Sequence, residues 1–206
     1  MPSPPALSKL PDEARIRSAL TFAWTDQESY RWEATPQLVN ETPMQLKYLG
    51  SVHRETQQVG TFSRLVRRGA NGPEIQHIRL ELEPNARGQG FATAYWGHCL
   101  QRYAEVGLVR IRFTADSDGR LFWARDPVRF EDPATPRFLL THYGGPDKLK
   151  RAGFPADDAE RFAAEIEATP EAFTPAQLNA TPMGQALLSE AGAGRGAIVD
   201  ISPPYN

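Results

Sequence analysis

Three observations predict an α/β fold with a mixed, mostly antiparallel central sheet flanked by helices. Met44–Arg54 and Val59–Arg68 alternate roughly apolar with polar on either side of the polar turn Glu55–Gln58, the pattern of an antiparallel hairpin. Glu74–Glu83 alternates strictly in its second half and stops at Pro84, which cannot donate to a ladder. Phe91, Tyr95, Cys99 and Tyr103 then recur every fourth residue, with Ala92, Trp96 and Leu100 beside them, giving the apolar stripe of an amphipathic helix.

The remaining elements follow in chain order. Residues 1–11 carry four prolines and predict an irregular, flexible arm, while Asp12–Leu20 predicts a short helix opened by acids. Ala70–Pro73 forms a second turn. In the strand that follows, Ile78, Leu80 and Leu82 are expected on one face, and His77, Arg79, Glu81 and Glu83 on the other. Asn85–Gly90 supplies two glycines for an unusual backbone path, the helix runs to about Glu105, and Gly107 stops it. Val109–Thr114 reads as a strand, Asp118–Arg125 as one short helical segment, and Val128–Phe130 as a short strand. Asp157–Ala168 predicts an acidic helix packed through Ala159, Phe162, Ala163 and Ile166. Thr174-Pro175-Ala176-Gln177 matches a capping box opening a helix towards Glu190, and Ala197–Ile201 predicts a last strand. The expected organisation is an arm over 1–11, a domain over 12–131 and a helical C-terminal extension over 132–206 packing on it.

Composition narrows the function. The chain has 206 residues, 40% hydrophobic and 23% charged, near the globular norm. Its formal net charge of −2 gives no domain-wide footprint for a nucleic-acid backbone, so any anion site must be local. No apolar run approaches the ~20 residues of a membrane span, and the first residues lack the apolar region of a signal peptide, so a cytoplasmic protein is expected. The single cysteine, Cys99, cannot form an internal disulfide and falls on the apolar stripe of the helix, as a buried inert thiol rather than a nucleophile. His53, His77, His98 and His142 show no metal-ligand spacing, and no metal is expected.

The chemistry is concentrated in strand Ile78–Glu83, loop Asn85–Gly90, the helix and strand Val109–Thr114, a βαβ unit with a glycine-rich turn. Amides of Gly88, Gln89, Gly90, Phe91 and Ala92 would lack helical partners and point outward, where the helix dipole adds roughly half a positive charge. Such a turn suits a pyrophosphate. Glycine at 88 and 90 lets a phosphate approach the backbone, and Arg87 can add a charge-assisted contact.

Leu82-Glu83-Pro84-Asn85-Ala86-Arg87-Gly88-Gln89-Gly90-Phe91-Ala92 resembles the acetyl-CoA-binding motif of the GNAT superfamily of N-acetyltransferases, Arg/Gln-x-x-Gly-x-Gly/Ala, matched by Arg87, Gly90 and Ala92. That family's second motif, Asn-x-x-Ala-x-x-Leu-Tyr, has its spacing in Asp116-x-x-Gly119-x-x-Phe122-Trp123, with Asp116 at the asparagine and Trp123 at the tyrosine position. The resemblance covers about residues 44–131. It implies a GNAT-like fold and acetyl-CoA or another acyl-CoA as cofactor. Arg87, Gly88, Gln89, Gly90, Phe91, Ala92 and Thr93 would hold the pyrophosphate, and the backbone of Leu82 would pair with the pantetheine arm. The family transfers the acyl group directly to an amine from a gap between two splayed strands, where a strand amide polarises the thioester carbonyl.

The implied function is an acyl-CoA-dependent N-acyltransferase, most readily acetyl, whose acceptor is an amine of a small molecule, peptide or protein. Glu81 and His77 are the base candidates, and Glu74 a third. Arg102, Arg110, Arg112, Arg120, Arg125 and Arg129 read either as a solvated, salt-bridged face or as help for the 3′-phosphate. The alternative function is a GNAT-like cofactor- or protein-binding module without catalysis. A Rossmann-type nicotinamide enzyme fits less well, since the third glycine would be Thr93. Two roles are open to residues 132–206, capping the acceptor cleft or forming a homodimer contact.

Overall fold

The computed structural model describes residues 10–114, 128–190 and 196–200. It divides into two compact units, the first running to Arg112 and taking in Asp200, the second spanning Phe113–Val199.

The first unit is a mixed sheet wrapped on one long helix. Asp12 caps α1 (Glu13–Leu20) by accepting from Arg15 N–H at 3.3 Å. Strands β1 (Phe22–Thr25), β2 (Arg31–Thr42), β3 (Gln45–Arg54), β4 (Gln57–Gly69) and β5 (Gly72–Leu82) pair in sequence order, all antiparallel. Helix α2 (Phe91–Glu105) crosses over to β6 (Arg110–Thr114), the next neighbour of β5. Val109 N–H donates to Pro73 O at 2.9 Å, so β6 starts beside the start of β5, and the two run parallel.

The expected hairpin, βαβ unit and helix stripe are present, and the sheet is mixed and mostly antiparallel as expected. Residues 22–42, for which the sequence pattern predicts no element, form β1 and β2. Pro36 interrupts the strand pattern there, and β2 tolerates it because β1 reaches only Arg31 to Ala34, leaving Pro36 on an open edge.

The core lies between α2 and one sheet face. Phe91, Tyr95, Cys99 and Tyr103 are buried against Trp32, Phe62 and Ile75, while α1 contributes Ile16, Ala19 and Leu20. Aromatic contacts dominate the N-terminal end of α2: Phe91 stacks on Trp32 and Tyr95, with ring centroids 5.3 and 5.6 Å apart. Tyr95 Oη donates to Leu20 O at 3.2 Å and Arg15 donates to Glu105 O, tying α1 along α2.

The second unit has its own apolar cluster. It contains β7 (Arg129–Phe130), α3 (Thr135–Tyr143), α4 (Gly145–Arg151), α5 (Ala156–Ala168), α6 (Pro175–Asn179), α7 (Pro182–Glu190) and β8 (Gly196–Asp200), with β7 and β8 antiparallel. The acidic helix α5 buries the four expected residues, Ala159, Phe162, Ala163 and Ile166, against Leu139, Leu149 and Leu187. The Thr174 capping box is formed in both directions. The single helix expected after it is two, because Pro182 starts α7 afresh. Among the described residues no helix is long and apolar enough to cross a membrane.

One buried polar group makes this core sensitive to acid. His77 lies under α2, its Nε2 3.1 Å from Tyr103 Oη, with the Trp96 and Tyr103 rings edge-on to it. Burial first, and the neighbouring Arg64 cation second, hold its pKa well below the ordinary 6.5. The unfolded chain takes up a proton near pH 6.5 that the folded one refuses. Stability from this group is therefore present above that pH and lost as pH falls below it, towards the depressed folded value. Burial lowers His98 as well and adds to the same trend. Urea unfolding from pH 7 to 5 should show stability falling by up to about 1.4 kcal/mol per pH unit for each such proton. His77→Gln should flatten the slope by one proton; an unchanged slope would refute the assignment.

Candidate active site

Two hydrogen bonds determine which way each peptide of β5 points. In an antiparallel pair, directly opposed residues alternate between hydrogen-bonded and non-hydrogen-bonded positions. Glu83 N–H donates to Val59 O at 2.8 Å. Counting back from it, Glu81 and Arg79 turn their N–H and C=O towards β4, while Leu82 and Leu80 turn theirs towards the opposite edge. At the other end, the bond from Val109 to Pro73 O makes residues 73, 75 and 77 face β6. The two alternations disagree by one residue.

The mismatch is resolved at Ile78. Ser63 opposes Arg79 but Arg64 opposes His77, so Ile78 is an extra residue, a β-bulge. β6 starts level with Pro73 and is described as far as Thr114, whereas β5 continues to Leu82. Among the described residues, no strand covers the edge that the Leu80 and Leu82 backbone groups face.

The bulge also redistributes the side chains, and here one expectation fails. Opposed residues share a face, so His77 goes with Arg64 and Leu80 with Phe62, towards α2, whereas Arg79 goes with Ser63 and Glu81 with Thr61, on the other face. His77 and Glu81 do not line one polar face. His77 is buried, and Glu81 is exposed and paired with Arg79. Glu74 is not a free carboxylate either: it is buried and held by Arg67 at 2.8 Å and Arg112 at 2.9 Å. Arg102 and Arg110 pair with Glu105 and Asp200, which favours the salt-bridged reading of those arginines.

The loop after β5 has the backbone expected of it. Pro84–Ala86 make one 3-10 turn, and Gly88 and Gly90 take φ of 75° and 86°, a region that disfavours side chains. Gly90 caps α2 without any side chain, and the first turn holds no acid. Among the described residues the amides of Gly90, Phe91, Ala92 and Thr93 have no acceptor, so four donors and the positive end of a fifteen-residue helix point outward together. A Cβ built on Gly88 meets nothing within 4 Å, so a pyrophosphate has room. Arg87 Nε donates to Leu82 O at 3.0 Å, anchoring the guanidinium between strand end and loop. The Gln89 amide group folds back onto Asn85 O.

One residue of this region escaped the sequence reading. Trp24, half-buried on β1, has its Cη2 3.4 Å from where a Gly90 Cβ would stand, and walls the loop on that side. Its only signal, the alternation of Phe22 and Trp24, spans four residues. Asp116, Gly119, Phe122 and Trp123 lie outside the described residues.

Gly90→Val would place a branched side chain at positive φ against Trp24, costing roughly 1–3 kcal/mol of strain. It should abolish acetyl-CoA binding while the fold survives. Calorimetric titration decides: a folded variant that binds like the parent places the site elsewhere.

No family model and no curated protein matches the chain. Solved structures similar to part of it include Arabidopsis thaliana Naa50 in complex with a bisubstrate analogue, at 14% identity and TM-score 0.36, covering 41% of this chain and 58% of that one. PaiA N-acetyltransferase from Thermoplasma acidophilum in complex with coenzyme A aligns at 15% identity and TM-score 0.34, over 42% of this chain and 54% of that one. The chain spans less than two thirds of the length of both. The GNAT domain of S. lividans PAT aligns at 12% and 0.30, over 46% of this chain and 77% of that domain. Over part of its length, the chain is thus similar in structure to solved acetyltransferases of the GNAT superfamily.

Proposed function

We propose that this chain is an acyl-CoA-dependent N-acyltransferase, most readily an acetyltransferase, that transfers directly to an amine of a small molecule, peptide or protein. The observation that carries the reading is the continuity of two backbone surfaces, a strand edge that no described strand covers and a helix start whose amides no described residue accepts from. The outward Leu80 and Leu82 edge of β5 leads, through Arg87, into the amides at the start of α2. An extended polar arm ending in a pyrophosphate fits that line: strand-edge groups for the amides of the arm, helix-start donors and Arg87 for the phosphates.

Bound there, acyl-CoA supplies an activated thioester. The chain's own residues supply orientation and proton removal. Core side chains fill the α2 face of β5, so within this unit an amine reaches the Leu80 edge from the face that carries Arg79 and Glu81. Glu81 is exposed there beside Arg79 and takes the amine's proton through water. His77 is enclosed under α2 and serves packing. Cys99 is fully buried, and burial pushes its thiol up to about 11, so this thiol does not compete with the amine.

Calorimetric titration with acetyl-CoA, followed by turnover over a panel of amines, tests the reading. Absence of binding sinks it, and binding without turnover would identify a module that holds the cofactor only. Where turnover is found, Glu81→Gln should lower it by about a hundredfold or more at unchanged acetyl-CoA affinity. Mass spectrometry during turnover should show no acyl group on Cys99; its appearance there would replace direct transfer by a covalent route.

A further inference from the structure

Arg64 is 1% exposed on β4, and no carboxylate pairs with it among the described residues. Its Nη1 donates to two carbonyls instead, Ser63 O at 2.9 Å and Arg79 O at 2.6 Å, and its guanidinium carbon lies 5.2 and 5.7 Å from the centroids of the Phe62 and Tyr95 rings. Its Nε is buried without an acceptor. Taking a cation out of water without a counter-ion is unfavourable, and a neutral side chain would fill the space more cheaply. The two carbonyls it holds both belong to the bulge, one on each strand.

Their position has a consequence at the site. Across a trans peptide the C=O and N–H point in opposite directions. Arg79 O and Leu80 N–H belong to one peptide, so whatever holds the first towards β4 aims the second at the open edge. A bulge is the place on a strand where that plane is least constrained by the ladder.

We propose that Arg64 is a positioning residue. By clamping Arg79 O at the Ile78 bulge it fixes the Leu80 N–H towards the edge of β5 that no described strand covers, as a donor to the acyl carbonyl. This rests on the acyl-CoA reading given above. The role calls for a permanent charge on a long side chain with several donors, which an Arg, unlike a Lys or an apolar residue, supplies in planar form.

The test compares CoA with acetyl-CoA, which differ only in the acyl group, by calorimetry on the parent, Arg64→Met and Arg64→Lys, with thermal unfolding of each. The parent should prefer acetyl-CoA. Arg64→Met should lose about tenfold of that preference while CoA affinity moves less than about threefold, since the loop amides are untouched. Arg64→Lys, able to hold one carbonyl, should keep part of it. In ¹⁵N-labelled parent the Leu80 amide resonance should shift further with acetyl-CoA than with CoA, and that difference should shrink in Arg64→Lys. A merely structural role would lower the melting temperature and weaken both ligands alike. A folded Arg64→Met that keeps the preference overturns the proposal. If that variant does not fold, an unchanged preference together with an unchanged Leu80 response in Arg64→Lys overturns it. A parent that binds neither CoA nor acetyl-CoA refutes the acyl-CoA reading itself, a result distinct from binding both with Arg64 irrelevant.

Discussion

A strand residue offers its N–H and C=O to one neighbour and the next residue offers them to the other, so a strand paired on both sides has no backbone groups to spare. Among the described residues, β5 is paired on both sides only over its first half. Its alternation is anchored at one end by Val109 on Pro73 and at the other by Glu83 on Val59, and the two frames differ by one residue. The bulge at Ile78 absorbs the difference. Without it, Leu80 and Leu82 would bond β4, and the outward edge would present Arg79 and Glu81 backbone instead. The side-chain faces would exchange as well.

That constraint explains the polar groups buried beneath α2. A bulge leaves carbonyls poorly matched to the ladder, and a buried unsatisfied carbonyl is costly. Arg64 donates to the two carbonyls that flank this bulge, those of Ser63 and Arg79, and is itself accommodated by the faces of Phe62 and Tyr95. His77, its opposed residue on β5, is in turn kept neutral by burial and by that cation, and meets the Tyr103 hydroxyl. A stripe that reads in sequence as plain amphipathic helix, Tyr95, Cys99, Tyr103, therefore also lines a small polar interior. The hydroxyls on two of its three residues are not incidental.

What could be read from the sequence is what depends on local chemistry. Gly88 and Gly90 are legible because positive φ selects glycine, the α2 stripe because its period is sustained over fifteen residues, and the Thr174 box because its two partners are three residues apart. The bulge is not legible. Ile78, Leu80 and Leu82 alternate perfectly with His77, Arg79 and Glu81, and only pairing to β4 inserts a phase shift between His77 and Arg79. The same holds for Arg64 and Glu74, which look like surface charges in a polar-apolar pattern and are buried by partners distant in sequence. Residues 22–42 were obscured for another reason: Pro36 reads as a strand breaker unless one knows that the neighbouring strand stops short of it.

The phase shift also bears on where proton removal belongs. A histidine is the usual choice for a base at neutral pH, and on sequence alone His77 and Glu81 are equally placed. Once they are on opposite faces the choice is decided by access and charge. His77 is enclosed by Trp96 and Tyr103 and pushed well below its ordinary pKa, so protonating it would place a second cation beside buried Arg64. Glu81 is exposed to water beside Arg79, on the face of β5 turned away from α2. The bulge that turns Leu80 N–H outward is the same one that puts Glu81 on that face, so the donor proposed for the acyl carbonyl and the acceptor proposed for the amine proton both depend on a single inserted residue.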